Sequence, residues 1–144
     1  KAAGQAMGIG VSPDSGHAVV AIWAGSFAPV LDLQSQSLLK GISLNGRSYQ
    51  AVAYSPDGGR VYLSHYDGSR IVVLDASSFT VIDYIPVAPR PTYIAITPDG
   101  TQLYVAHEGG DVEVIGLPGG GRIRTFDLNA HTKFMSIAFS TPAV

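Results

Sequence analysis

A short turn motif recurs three times along the chain at nearly equal intervals. It reads SPDSG at residues 12–16, SPDG at 55–58 and TPDG at 97–100, so that its prolines lie 43 and 42 residues apart. A further proline, Pro142, follows 44 residues after the third. Self-similarity at a fixed period of this length indicates a repeat architecture, in which copies of one small unit stack side by side. The chain is therefore expected to contain three copies of such a unit and the start of a fourth.

Each Pro-Asp turn is flanked by short segments rich in β-forming residues. In the second repeat, residues 51–55 precede the turn and residues 60–65 follow it, which predicts a β-hairpin. Two further strands are predicted at 70–75 and 80–87. The third repeat has the same order, at 94–97, 102–107, 111–115 and 122–128. Four strands within one repeat of this length are typical of a β-propeller blade.

The predicted fold class is all-β: a β-propeller of four-stranded antiparallel blades, with a repeat of about 43 residues and an incomplete ring. The leucines within 30–40 also suit a short helix, but the repeat register assigns this stretch to strands three and four of blade 1. Closed propellers need about four to eight blades, so we interpret the chain as part of a single propeller domain of a larger ring. The expected bounds are about 7–49, 50–92 and 93–134 for blades 1 to 3, and about 135–140 for the first strand of a fourth blade.

Several segments resemble the YVTN family of β-propeller repeats. The resemblance rests on YVAH at 104–107 and VYLSH at 61–65, each after a Pro-Asp-Gly turn, and on VVLD at 72–75 followed by TVIDYIPV at 80–87. The first repeat departs from this pattern, with AIW at 21–23. The resemblance implies a propeller fold, but it does not imply one function, because propellers host binding modules and enzymes alike.

Composition and charge exclude several classes of partner and location. Nine Lys and Arg against eleven Asp and Glu give a net charge of −2, which predicts no general nucleic-acid binding. The longest weakly polar stretch, 18–31, is interrupted by Gly25 and Pro29, so we predict no membrane span. The absence of cysteine excludes disulfides and thiolate metal sites. The chain begins at Lys1 without a leader-like segment, and we expect an exported protein, periplasmic or extracellular, whose leader or preceding domain has been removed.

Three cations recur in the predicted loops between blades. They are separated by 43 residues each and are Arg47, Arg90 and Lys133. The same loops carry three aromatic residues, Tyr49, Tyr93 and Phe134. Together these side chains predict an arc that offers charge and a flat apolar surface to an anionic, planar ligand such as a tetrapyrrole with carboxylates. The alternative is that the cations are solvated and that the aromatic rings are packed between blades.

Two histidines, His65 and His107, end the second strands of successive blades, where the resembled family more often has Asn. One interpretation is that each imidazole caps a loop by bonding a backbone group. The other is that both face the channel and bind a metal or a cofactor, joined by His131 from the third inter-blade loop. Two or three histidines do not complete a tetrahedral metal site, so the second interpretation needs ligands from other blades.

The remaining candidates are assigned structural roles. Asp14, Asp57 and Asp99 recur in the Pro-Asp turns, where a carboxylate can accept hydrogen bonds from nearby backbone N–H groups. Asp32 and Asp75 are expected to hold the ends of third strands in the same way. Trp23 is interpreted as a packing residue.

The favoured function is a non-catalytic binding propeller that uses its loop face and central channel. Its expected partners are a protein or an anionic small molecule, together with the remaining blades of the same parent chain or assembly. We predict no catalytic residues and no cofactor for this function. The alternative is a redox enzyme, because the repeats resemble haem d1-binding propellers of the nitrite reductase type and, more distantly, copper-containing nitrous oxide reductases. The least favoured interpretation is a lactonase, because we identify no acidic catalytic pair in the sequence.

Overall fold

Three antiparallel four-stranded sheets make up the structure, a computed structural model that describes residues 4–46, 49–128 and 138. In each sheet the spatial order of the strands follows the order of the chain. The first sheet contains β1 (Gln5–Val11), β2 (His17–Trp23), β3 (Phe27–Asp32) and β4 (Ser37–Ser43). The second contains β5 (Tyr49–Tyr54), β6 (Arg60–His65), β7 (Arg70–Asp75) and β8 (Thr80–Pro86). The third contains β9 (Pro91–Ile96), β10 (Gln102–His107), β11 (Asp111–Gly116) and β12 (Gly121–Asp127).

This architecture confirms the predicted fold class, an all-β propeller with an incomplete ring. β3 and β4 cover the leucine-containing stretch that also suited a helix, so the repeat register was the correct guide there. Neighbouring sheets contact each other through their first strands, because β5 lies against both β1 and β9. The expected first strand of a fourth blade, about 135–140, lies outside the described residues except for residue 138.

Alternating side chains of the strands form two separate hydrophobic cores. Leu63 of β6 and Val72 of β7 pack with residues of the first sheet, such as Val19. Tyr62 of β6 and Ile71 of β7 pack instead with residues of the third sheet. Because successive side chains of a strand point to opposite faces, the second sheet is apolar on both faces. By contrast, every residue of β12, the strand at the outer edge of the third sheet, is exposed.

One face of the first sheet has no partner among the described residues. Met7, Ile9 and Val11 of β1 are 42%, 59% and 50% exposed. On its other face β1 approaches β5 so closely that a Cβ at Gly8 would lie 2.6 Å from the backbone oxygen of Gln50. Glycine is therefore required where the first strands of two sheets meet.

The Pro-Asp turns are held by the aspartates in the way that the sequence predicted. In the second sheet, Asp57 Oδ1 accepts hydrogen bonds from the Ser55 hydroxyl and from the Gly59 N–H, the latter at 2.9 Å. These bonds lower the pKa of Asp57, with the hydroxyl of Ser55 the largest cause. Equivalent bonds are made by Asp14 and Asp99. The structural interpretation of the three aspartates is confirmed.

Asp75 ends β7 in the same manner. Its Oδ1 accepts hydrogen bonds from the Ser77 hydroxyl at 2.6 Å and from the Ser78 N–H at 2.8 Å. These and the neighbouring bonds lower the pKa of Asp75 to about 2. Asp32 accepts the Ser35 N–H at 2.8 Å, which confirms the same role in the first sheet.

Candidate functional site

Two kinds of loop lie on the same side of the sheets. Strands two and four of an antiparallel sheet end on the same side, so the loops after β2, β6 and β10 lie beside the loops that join one sheet to the next. We call this side the loop face. It carries the β8–β9 loop, with Arg90, and the β10–β11 loop, with Glu108. The two loops contact each other, because the Glu108 N–H donates to the Arg90 carbonyl at 3.1 Å.

Arg90 presents a cation on the loop face. Its backbone has a φ of 59°, which is uncommon for a residue with a side chain. Its Nη1 donates to Glu108 Oε2 at 2.9 Å, while its side chain is 65% exposed. The guanidinium is therefore held on one side by a carboxylate and open to solvent on the other.

A row of side chains crosses all three sheets beside this cation. Trp23, Tyr66 and Glu108 hold the same position in successive repeats, directly after or at the end of the second strand. The rings of Trp23 and Tyr66 meet edge to face, with centroids 5.3 Å apart and planes at 70°. The Tyr66 hydroxyl donates to Glu108 Oε2, the same oxygen that Arg90 contacts. We call these four residues the loop-face row.

The hydrogen bond between Tyr66 and Glu108 also affects the pKa of the tyrosine. Donation to the carboxylate of Glu108 stabilises the neutral phenol and raises the pKa of Tyr66. Neither Tyr66 nor Glu108 was singled out from the sequence. The signal was present, because the two residues follow Trp23 at intervals of 43 and 42, the period of the repeat.

His65 lies in an enclosed pocket of the second sheet. It is 4% exposed, and Arg70 Nε donates to its Nδ1 at 3.1 Å. A ring nitrogen that accepts a hydrogen bond carries no proton, so the neutral imidazole has its proton on Nε2. A Cβ at Gly46 or Gly68 would lie 2.3 Å or 2.2 Å from ring atoms of His65. The pocket leaves no room for a further group on these sides.

Tyr49 forms one wall of this pocket. Its ring stacks on His65 with centroids 4.6 Å apart, and its hydroxyl donates to the Asn45 carbonyl at 3.2 Å. The side chain is 0% exposed, and this burial raises the pKa of Tyr49 to about 12. The expected flat ligand surface is not presented by this residue, because its ring belongs to the core.

His107 occupies the same position in the third sheet with different partners. It is 3% exposed; its Nδ1 lies 3.1 Å from the Pro89 carbonyl and its Nε2 lies 3.1 Å from Glu113 Oε2. Glu113 is itself 1% exposed, and its Oε2 also accepts the Ala88 N–H at 2.9 Å. Its Oε1 accepts Arg122 Nη1 at 3.1 Å.

This buried carboxylate fastens the loop that carries Arg90. Ala88 and Pro89, the two residues before Arg90, are both bonded to the Glu113–His107 pair. Sequence reasoning missed Glu113. The available signal was a charged residue within an apolar strand. The equivalent position of the second sheet, in β7, is the core residue Val72.

The other predicted site residues fall into two groups. Tyr93 lies within β9 and packs, partly buried, against the second hydrophobic core. It does not share the position of Tyr49, because Pro91 pairs with His107 as Tyr49 pairs with His65. The remaining four lie outside the described residues: Arg47, Lys133, Phe134 and His131.

The described residues do not present a metal centre. Across 4–46, 49–128 and 138, no three His, Asp or Glu side chains are arranged to hold a metal ion. Polar groups already lie against Nδ1 of His65 and against both ring nitrogens of His107. Metal or cofactor binding by these two histidines stays a prediction, and it would require some of these contacts to change. In the same part of the chain, no helix has the length and apolar character to cross a bilayer.

Comparisons with known proteins support the fold. No protein-family profile matches the chain. It is 27% identical over 77 residues to the uncharacterized protein YncE of Salmonella typhi, which is 54% of this chain and 21% of that protein. Hydrazine synthase of Kuenenia stuttgartiensis superimposes with a TM-score of 0.77 at 25% identity, over 83% of this chain and 35% of that chain. The structure of U3-55K gives a TM-score of 0.76 at 17% identity, over 85% and 39%. The chain thus spans about a fifth of the curated relative and little more than a third of the two solved chains.

Proposed function

We propose that the chain is part of a non-catalytic binding propeller of the YVTN type, whose loop face recognises an anionic group on a small molecule or a protein partner. The observation that carries this proposal is Arg90, a cation that is 65% exposed and held in place by Glu108. Guanidinium groups bind carboxylates and phosphates through paired hydrogen bonds, which add geometric specificity to the charge.

The loop around Arg90 supports the proposal because it is organised before any ligand arrives. The Ala88 N–H, the Pro89 carbonyl and the Arg90 carbonyl each contact a residue of the third sheet. A group that is already ordered loses little conformational entropy on binding.

The remaining blades are part of the proposal. The apolar face of β1 is exposed, and the chain covers 35% and 39% of the two solved propeller chains that it matches. We propose that further blades of the same parent chain or assembly cover this face and complete the channel. The proposed location is periplasmic or extracellular.

The test uses the full parent protein and a panel of anionic probes: citrate, 2-naphthoate and a glutamate-rich peptide. Calorimetry compares the parent protein with Arg90→Gln and with Arg124→Gln, a matched loss of one charge on the exposed strand β12. Arg90→Gln should weaken binding of at least one probe about tenfold or more, the scale of one lost charge-assisted contact, and Arg124→Gln should not. Equal effects of the two variants on every probe would contradict the proposal.

A second candidate is a propeller that serves a redox enzyme, and the 25% identity to hydrazine synthase favours it. The cofactor would need ligands other than His65 and His107 in their present bonding. Visible absorption and metal analysis of the purified parent protein separate the candidates. A Soret or copper band supports the enzyme, and a colourless, metal-free protein supports the binding module.

A further inference from the structure

Two aromatic side chains of the loop-face row lie outside the two hydrophobic cores. Trp23 and Tyr66 both lie at the loop-face ends of second strands, and both are half-buried. Neither belongs to the residues that pack between the first and second sheets or between the second and third. The edge-to-face contact between the two rings therefore lies outside these cores, at the loop face.

We propose, on the basis of the proposed function, that Trp23 and Tyr66 form the aromatic side of the Arg90 site, and that its ligand is an aromatic acid: a flat ring that bears a carboxylate, phosphate or sulfonate. The two rings stand at 70° and form a corner. The Tyr66 hydroxyl and Arg90 Nη1 contact the same oxygen of Glu108. The corner is thus tied to the cation through one carboxylate.

Glu108 decides which anions this arrangement accepts. It neutralises part of the charge of Arg90, and it repels an anion that approaches from its own side. A compact, highly charged anion gains little there, since it meets both the cation and the carboxylate. A ligand with one anionic group and one aromatic ring binds more tightly, because the contacts of its ring add to the charge-assisted bond of its anionic group.

The test separates ring from charge with three probes on the full parent protein. 2-Naphthoate has both features, cyclohexanecarboxylate has the charge alone, and 2-naphthalenemethanol has the ring alone. Calorimetry should show 2-naphthoate as the tightest of the three. Trp23→Leu and Tyr66→Leu should each weaken 2-naphthoate by about 2- to 10-fold, the range of a single aromatic contact, and Trp23→Leu should leave the affinity for cyclohexanecarboxylate unchanged.

The chain contains a matched control for these variants. Arg124 lies 5.5 Å from the ring centroid of Phe126 on exposed β12, so this pair also combines a cation with an aromatic ring. Phe126→Leu should not change the affinity for any probe. In a ¹⁵N spectrum, the indole N–H signal that disappears in Trp23→Leu should shift with 2-naphthoate and stay in place with cyclohexanecarboxylate. Thermal unfolding of each variant verifies that the fold is retained.

The outcomes distinguish the two proposals. If cyclohexanecarboxylate binds as tightly as 2-naphthoate and Arg90→Gln weakens both, the aromatic inference is overturned and the anion-binding function stands. If 2-naphthoate binds but Phe126→Leu weakens it as much as Trp23→Leu does, the inference is again overturned. If no probe depends on Arg90, both proposals fail.

Discussion

His65 and His107 hold the same position in neighbouring blades, yet they lie in opposite electrostatic surroundings. The imidazole of His65 accepts a hydrogen bond from a cation, Arg70, and stacks on Tyr49. The imidazole of His107 lies between two acceptors, the Pro89 carbonyl and the carboxylate of Glu113. A repeat thus determines where a side chain lies, while its neighbours determine which polar groups it contacts.

The difference has a consequence for the loops above the two histidines. In the second sheet, Arg70 reaches the Asn45 carbonyl at 2.8 Å, so a side chain at the surface holds the loop before β5. In the third sheet, by contrast, the loop before β9 is held by the carboxylate of the buried Glu113. Only the second arrangement combines a fully buried carboxylate with the exposed cation of Arg90 on the same loop.

The largest effect is expected from replacing Glu113 by the residue of the neighbouring blade, Val72, in the variant Glu113→Val. The change removes the acceptor of the Ala88 N–H and a buried carboxylate beside His107. Leaving hydrogen-bond donors without their acceptor costs about 1–3 kcal/mol each, so denaturant titration should show a free energy of unfolding that is lower by about 3 kcal/mol. Glu108→Gln, which alters a partly exposed carboxylate, is the control and should cost far less.

Equal stability of Glu113→Val and the parent protein would show that the third sheet does not depend on its carboxylate. His107, like His65, would then need no carboxylate beside it for its sheet to be stable. Glu113→Gln sharpens the result, because an amide oxygen can still accept the Ala88 N–H. It should recover part of the lost stability, and a variant as unstable as Glu113→Val would contradict the assigned hydrogen bond.

A smaller effect is expected at the glycines of the two loops that follow the histidines. A Cβ at Gly68 would lie 2.2 Å from His65 Nδ1, whereas a Cβ at Gly109 would meet nothing within 4 Å. Gly68→Ala should therefore lower the free energy of unfolding by about 1–3 kcal/mol, the cost of overpacking, and Gly109→Ala should not. Thermal unfolding of the two variants measures the difference. Comparable melting temperatures would mean that the pocket of His65 is not closed.

The smallest effect is expected from acid. The pKa of Asp75 is lowered from 3.8 to about 2, so its contribution to stability is present above about pH 4 and is lost as the pH falls towards 2. The corresponding position of the third sheet is Gly116, which has no carboxylate to protonate. Amide hydrogen exchange on lowering the pH from 5 to about 2.5 should lose protection at Ser77 and Ser78 first, relative to residues 117–120. Asp75→Asn should remove this difference, and its persistence would indicate another acid-sensitive group.

Much of the fold was accessible from local patterns. The Pro-Asp-Gly turns and the segments rich in β-forming residues that follow them predicted β6 and β10 with the bounds that the structure has. Such turns are encoded within a few residues, because the Asp57 carboxylate bonds groups only two positions away. The candidate site was less accessible. Arg90 was found from its spacing, but spacing left two interpretations open for Tyr49, a ligand surface or packing between blades, and the ring lies in the core.

The sequence by itself determined the repeat, the class of fold and the position of each turn, since these depend on contacts between residues close in the chain. Only the tertiary structure decided that Glu113 bonds the loop that joins the second sheet to the third and that Trp23, Tyr66, Glu108 and Arg90 form one row. The physical reason is that these contacts join residues 18 to 43 positions apart in different strands and loops. Spacing places such residues at the same level of successive blades, but the packing of one blade on the next determines which side chains meet.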